Sequence, residues 1–289
     1  MRRTALLALC LLSGLLVAGT LGPAPATGGG GPPAVIADWE GVSTGTGNDD
    51  DAKLLLHFES DTATPWSDSS LAAHAQPTIS TATRSEVQEK FGDSSGLFVA
   101  ASNQYLSYAA HEDWDLSAGD FTIDMQVRFV SLPAAGSNTK LACHYHDNNN
   151  QTVFGLINTA GTYYLRFFLY NGGGYDLQML RAATLVVDTW YHVAVTRDGN
   201  DYRIFLDGTQ LGAEETDVDG PQSMTAVLNI GACNVGFSHH DGYIDELRWS
   251  PGIARWTAGF TAPTAKYGGL TLWLEDSEGN KYPAQGWVP

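Results

Sequence analysis

The sequence predicts an all-β fold, two antiparallel sheets stacked face to face, and three observations carry that expectation. Residues 121–129 alternate strictly. Phe121, Ile123, Met125, Val127 and Phe129 form an inward set, and Thr122, Asp124, Gln126 and Arg128 an outward one. Residues 190–208, WYHVAVTRDGNDYRIFLDG, read as two strands about a turn at Asp198-Gly199-Asn200, where glycine is free to adopt positive φ. Beyond the N-terminal apolar run, no segment sustains a helical period. About a dozen short strands bury their apolar sides most readily as a two-sheet sandwich.

Taken in order, the chain opens with Arg2 and Arg3, an apolar run from Ala5 to Ala18, and the small-residue site Ala24-Pro25-Ala26. That is the layout of a secretory signal peptide, so residues 1–26 read as an export signal and the protein as secreted. The apolar run is shorter than the roughly 18 residues a spanning helix needs, and no membrane insertion is expected. Residues 27–52 are rich in Gly, Pro and Asp and read as a flexible spacer.

The domain proper is expected over residues 53–267. It starts with LLLHFES and a polar loop holding Asp61, Trp66 and Asp68. Strands follow at 96–101 and 104–108, with a loop or short helical turn over 111–116. After the 121–129 strand come strands at 140–146, 152–157, 163–170 and 176–180, separated by Asn- and Gly-rich turns. The 190–208 hairpin precedes strands at 227–232 and 242–249. Residues 268–289 read as one further hairpin turning at Ser277 to Asn280; its Trp273 and Trp287 are either edge packing or a docking surface.

Three segments carry a family resemblance: WYHVAVTRDGNDYRIFLDGTQLG, GDFTIDMQVRF and GYIDELRWSPGIARWTAGFTAP. In order and spacing they resemble the laminin-G-like domains, including the pentraxin type, of the concanavalin A-like lectin and glucanase superfamily. The likeness covers roughly residues 53–263. It implies a jelly-roll β-sandwich; for function it implies a binding module, although one scaffold of this kind hosts lectins, glycosidases and structural domains.

Charge narrows the partners. With 15 Lys and Arg against 32 Asp and Glu, the formal charge is −17, which repels nucleic acid and anionic membranes. Of three cysteines, Cys10 falls in the export signal. Cys143 and Cys233 remain, an even count that favours a disulfide in an exported protein, with two buried free thiols as the alternative.

No catalytic motif is found. Glycosidases of this superfamily need two carboxylates on one strand face, and the family's Glu-x-Asp-x-x-Glu signature is absent. Asp245 and Glu246 are adjacent, so on a regular strand they point to opposite faces unless a bulge intervenes. Followed by Arg248, they read as scaffold, with Arg248 paired to a nearby carboxylate.

Calcium needs six to eight converging oxygens. Asp147 and Asn149 in one turn, and Asp217 and Asp219 in another, are the candidates, because the resemblance implies rim calcium; Asp and Asn also populate turns for purely local reasons. His144, His146, His239 and His240 raise zinc or copper, against ordinary strand and loop roles. Sugar stacking points to Trp66, Trp114, Tyr145 and Tyr175, with Trp256 read as packing. Asn150-Gln151-Thr152 is a formal glycosylation sequon.

The resulting expectation is a secreted, non-catalytic module that binds a carbohydrate or glycoconjugate through rim loops or the concave sheet, with calcium as an optional aid. The rival is a structural or assembly protein whose partners are neighbouring subunits. A glycoside hydrolase comes third.

Overall fold

The computed structural model describes residues 43–44, 50–59, 66–233, 238–268, 270–271, 273–275 and 281–283. The segment read as an export signal, most of that read as a spacer, Asp61 and Trp287 lie outside them. The described chain is β throughout, with two single-turn 3₁₀ elements at Ala100–Ser102 and Glu112–Trp114. None of its helices is long and apolar enough to cross a membrane.

Two antiparallel sheets form the sandwich. In spatial order, the seven-stranded sheet begins Gly174–Ala182, Thr162–Asn171, Asn150–Thr159 and Asn138–Asp147. It ends with Ala226–Ile230, Tyr105–His111 and Thr78–Ser80. The nine-stranded sheet is centred on Trp190–Asp198, Phe121–Phe129 and Gly242–Pro251. The expected hairpin is there: Trp190–Asp198 pairs with Asp201–Leu206 from Val193↔Leu206 to Asp198↔Asp201, leaving Gly199-Asn200 as a two-residue turn.

Between the sheets, alternate residues interdigitate. Phe167 of one sheet stacks on Tyr202 of the other, with ring centroids 6.0 Å apart, and meets Phe121 at 5.8 Å. The inward set of the 121–129 strand is fully buried here, beside Val193, Val195, Leu228 and Trp249. Each such large side chain contributes about 1.5–3 kcal/mol on burial.

The outward set is not solvent-facing as the alternation suggested: Thr122 and Asp124 are fully buried and Gln126 nearly so. The chain after Pro251 straps across this face. Thr122 Oγ1 donates to the Ile253 carbonyl, Thr196 Oγ1 donates to the Trp256 carbonyl, and Trp256 stacks on Phe260 at 3.9 Å. Gly208, at φ +78°, lets the strap come close; a Cβ there would sit 2.0 Å from the Phe260 carbonyl oxygen. Trp256 is therefore packing, as its sequence context indicated.

Short edge strands at Thr78–Ser80, Thr83–Ser85, Thr209–Gln210 and Glu215–Thr216 were not legible, because two or three residues carry no period. Ser43–Thr44, read as spacer, pairs with Leu270–Thr271, read as tail. Trp273–Glu275 and Lys281–Pro283 form a two-stranded sheet by themselves; the turn expected at Ser277 to Asn280 lies outside the described residues.

Candidate functional site

On its outer face the seven-stranded sheet carries a second, smaller apolar cluster that nothing in the interior demands. Cys143 and Cys233 are joined by a disulfide and packed with Val153 and Phe168, with Tyr145 and Tyr170 at the margin. The bridge ties the 138–147 strand to the segment just after Ala226–Ile230. Cys233 lies beyond that strand rather than on it.

Beside this cluster opens a cleft of about 310 Å³. Its aromatic wall comes from Phe168, Tyr170 and Tyr175. Its cations are Lys140 and Arg166, and Asn138, Asn148 and Gln151 supply amides. Strand geometry explains the set: Arg166, Phe168 and Tyr170 are alternate residues whose neighbours Leu165, Phe167 and Leu169 fill the core. On the next strand Gly155 keeps the backbones close, since a Cβ there would lie 2.3 Å from the Thr139 carbonyl oxygen.

The wall is cross-braced. Arg166 lies over the Phe168 ring at 4.2 Å and over Tyr175 at 5.4 Å, while its Nη2 donates to Tyr175 Oη at 2.6 Å. Tyr175 meets Tyr170 edge-on at 4.8 Å and is itself 52% exposed. Tyr170 Oη donates to the Gly173 carbonyl. Burial, and then the neighbouring Arg166 guanidinium, push the Lys140 ammonium below its ordinary range.

Of the residues singled out for sugar stacking, the structure brings Tyr175 into the cleft, while Tyr145 packs at the margin of the disulfide cluster and donates its hydroxyl to Asn148 Oδ1. Trp66 and Trp114 need correction: they are 4% and 1% exposed. Trp66 packs edge-on against Phe58, and Trp114 donates its indole N–H to the Ala109 carbonyl beside Tyr108. A loop position in sequence did not mean a surface position in space. Lys140, Arg166, Phe168 and Tyr170 were missed. The signal was present in YYLRFFLY, whose two faces are both bulky, so neither is bare solvent surface.

The calcium candidates lie in two turns, each closed by its own aspartate. Asp147 Oδ1 accepts the Asn149 N–H at 2.7 Å and an Asn150 amide hydrogen, closing its own turn within the seven-stranded sheet. Asp217 accepts the N–H groups of Asp219 and Gly220, in a turn at the edge of the nine-stranded sheet.

The histidine idea is also corrected. His144 and His240 are buried, His144 against Trp249 and His240 between Phe98 and Phe129. Burial lowers each to about 4. His146 is exposed beside Asp147, and the His239 ring lies tilted against Tyr105 at 6.3 Å. Among the described residues, the grouping of three His, Cys, Asp or Glu side chains is a different one, His74, His111 and Asp113. There His74 Nε2 lies 2.9 Å from Asp113 Oδ2, and the His111 ring accepts the Asp113 N–H at the start of a 3₁₀ turn.

Asp245 and Glu246 sit at the bulge on which their geometry depended: the register with 121–129 shifts between Asp245 and Arg248, and Glu246 takes φ 49°. Both carboxylates are fully engaged and buried. Asp245 accepts the N–H groups of Lys90 and Phe91 at 3.0 Å; Glu246 meets His57 at 2.7 Å and accepts the Tyr267 N–H.

With this geometry in view, the comparisons are informative. A family model described as Laminin_G_3, concanavalin A-like lectin/glucanases superfamily, matches residues 101–254, and the chain belongs to that family. No curated protein sequence matches significantly. Among solved structures, the chain is similar to domain 4 of AbnA, a GH43 extracellular arabinanase from Geobacillus stearothermophilus solved with arabinotriose. The identity is 16%, the TM-score 0.53, and the match covers 70% of this chain and 93% of that one. It is also similar to the binding domain of Paraclostridial Mosquitocidal Protein 1, at 14% identity and TM-score 0.54, over 73% of this chain and 50% of that one. The receptor-binding domain of botulinum neurotoxin mosaic serotype C/D matches at 12% identity and TM-score 0.52, over 73% and 48%. The chain thus spans about half the length of these two toxin domains. At such identities the likeness establishes the fold.

Proposed function

We propose that the protein is a secreted, non-catalytic carbohydrate-binding module, and that the outer-face cleft of the seven-stranded sheet is its binding site. The observation that carries this reading is the braced wall of Phe168, Tyr170 and Tyr175 beside Asn138, Asn148 and Gln151. Sugar rings present apolar C–H faces to aromatic side chains and hydroxyls to amides, and a site of this kind needs both. Pre-bracing keeps the ordering cost of binding low. The arabinotriose complex of the arabinanase domain is consistent with a sugar ligand on such a sandwich.

The carboxylates favour the non-catalytic reading. Asp245 and Glu246, the adjacent pair the sequence singles out, are engaged by backbone N–H groups and by His57, and the cleft lining holds no Asp or Glu. The reading does not depend on calcium, which stays an optional aid: Asp147 and Asp217 accept N–H bonds in their own turns and keep further lone pairs.

Screening the purified chain on an immobilised glycan array, with Tyr175→Ala in parallel, tests the proposal. Retention of at least one glycan class by the wild type and its loss in the variant are expected. Retention unchanged by Tyr175→Ala would remove the cleft from the account. Concentration-dependent self-association with no glycan retained would favour the assembly reading instead.

A further inference from the structure

The cleft holds an electrostatic arrangement that neutral sugar recognition does not explain. The chain carries a formal charge of −17, yet Lys140 and Arg166 both line this one opening. The cleft lining contains no Asp or Glu. Among the described residues neither cation has a carboxylate within salt-bridge distance, whereas Arg84, Arg128, Arg181, Arg203 and Arg248 each have one. Two partly buried like charges that face one another raise each other's cost unless an anion joins them.

Arg166 is moreover held in a fixed pose. Its guanidinium lies on Phe168, Nη2 is tied to Tyr175, and the buried Nε has no acceptor. A planar fork fixed this way favours a carboxylate or sulfate over a hydroxyl, because such anions accept two parallel N–H bonds. A positive cleft in an otherwise acidic surface also concentrates anions locally.

Resting on the carbohydrate reading above, we infer that the ligand is an acidic glycan, its carboxylate or sulfate seated between Lys140 and Arg166 while its sugar ring lies on Tyr175. The shared chemistry is an anionic group on a pyranose. Uronic acids, sialic acid and sulfate esters all present it.

Titration calorimetry with matched pairs separates the possibilities: oligogalacturonate against its methyl ester, sialyllactose against lactose, and sulfated against desulfated chondroitin oligosaccharide. The expected result is that an acidic member of at least one pair binds at least about tenfold more tightly than its partner. That advantage shrinks as NaCl rises from about 50 to about 500 mM. Lys140→Gln and Arg166→Gln should each weaken the acidic ligand by about tenfold or more, and Lys140→Gln should do so with a melting temperature that is no lower. Equal binding of both members of every pair would overturn the acidic class and leave the glycan module standing. Acidic binding indifferent to both substitutions would overturn the seat. No binding to any member, with a neutral glycan still retained on the array, would overturn the acidic class alone; no retention on the array either would remove both readings.

Discussion

Arg248 grips Asp124 with two hydrogen bonds, Nε to Oδ1 at 2.9 Å and Nη2 to Oδ2 at 3.3 Å, beneath the strap that follows Pro251. Asp124 is fully buried and Arg248 almost so. Tyr267 donates its hydroxyl to the same carboxylate, and His192 Nε2 lies 3.2 Å away. This knot fastens the strap to the outer face of the nine-stranded sheet. Arg248→Met leaves Asp124 buried without its cation and should cost about 3–5 kcal/mol in urea unfolding. Loss below about 1 kcal/mol would show the pair to be dispensable.

The acid limb of stability follows from four groups. Burial raises Asp124, but Arg248, His192 and Tyr267 outweigh it and bring the carboxyl down to about 2. Its stabilisation is present above the unfolded value near 4 and is lost as pH falls from there toward 2. His144 and His240, lowered by burial to about 4, stay neutral in the fold while the unfolded chain gains protons below about 6.5. Asp245, raised to about 8 chiefly by burial, works the other way. It is protonated in the fold while the unfolded chain stays ionised, so it adds stability as pH falls from about 8 to 4 and offsets part of the histidine loss. Stability should therefore decline in two stages, a partial one from about pH 6.5 to 4 and a further one below 4. His240→Gln should flatten the first stage by roughly 2–3 kcal/mol and leave the second. An unchanged first stage would contradict this assignment.

How far the sequence reaches is visible in these residues. The 121–129 strand, the 190–208 hairpin and the closing strand at 242–251 were legible because alternation and a Gly turn are local signals. Asp124 looked like a surface residue because alternation reports only that one face differs from the other. It took the strap, placed by contacts more than a hundred residues apart in sequence, to bury the second face. The cleft was hidden for the same reason. Tyr175 could be named as an exposed aromatic, but its neighbours Lys140 and Arg166 meet it only through strand order. Trp66 and Trp114 failed in the opposite direction, as loop tryptophans folded inward.

That contrast gives a direct comparison. Trp114→Ala removes a fully buried indole and should cost about 3–5 kcal/mol, whereas Tyr175→Ala, half exposed, should change stability by less than about 1 kcal/mol. Thermal melts of both variants check it. Equal losses would mean that the Tyr175 wall is structural.

The disulfide spans a sequence separation of 90 and floors the cluster under Phe168 and Tyr170. Replacing both cysteines with alanine should lower stability by roughly 2–5 kcal/mol and weaken glycan retention as the wall loosens. Calorimetry together with array binding of that variant reads both effects. Retained stability with retained binding would leave the bridge without a role in either.

The central claim concerns where the ligand sits. Hydrogen-exchange mass spectrometry of the chain, with and without the tightest-binding glycan from the array, maps that place directly. The cleft account predicts slowed exchange in peptides from 138–151 and 166–176, with the strap over 252–268 unchanged. Protection confined to the strap, or to the turns holding Asp217 and Asp219, would contradict it.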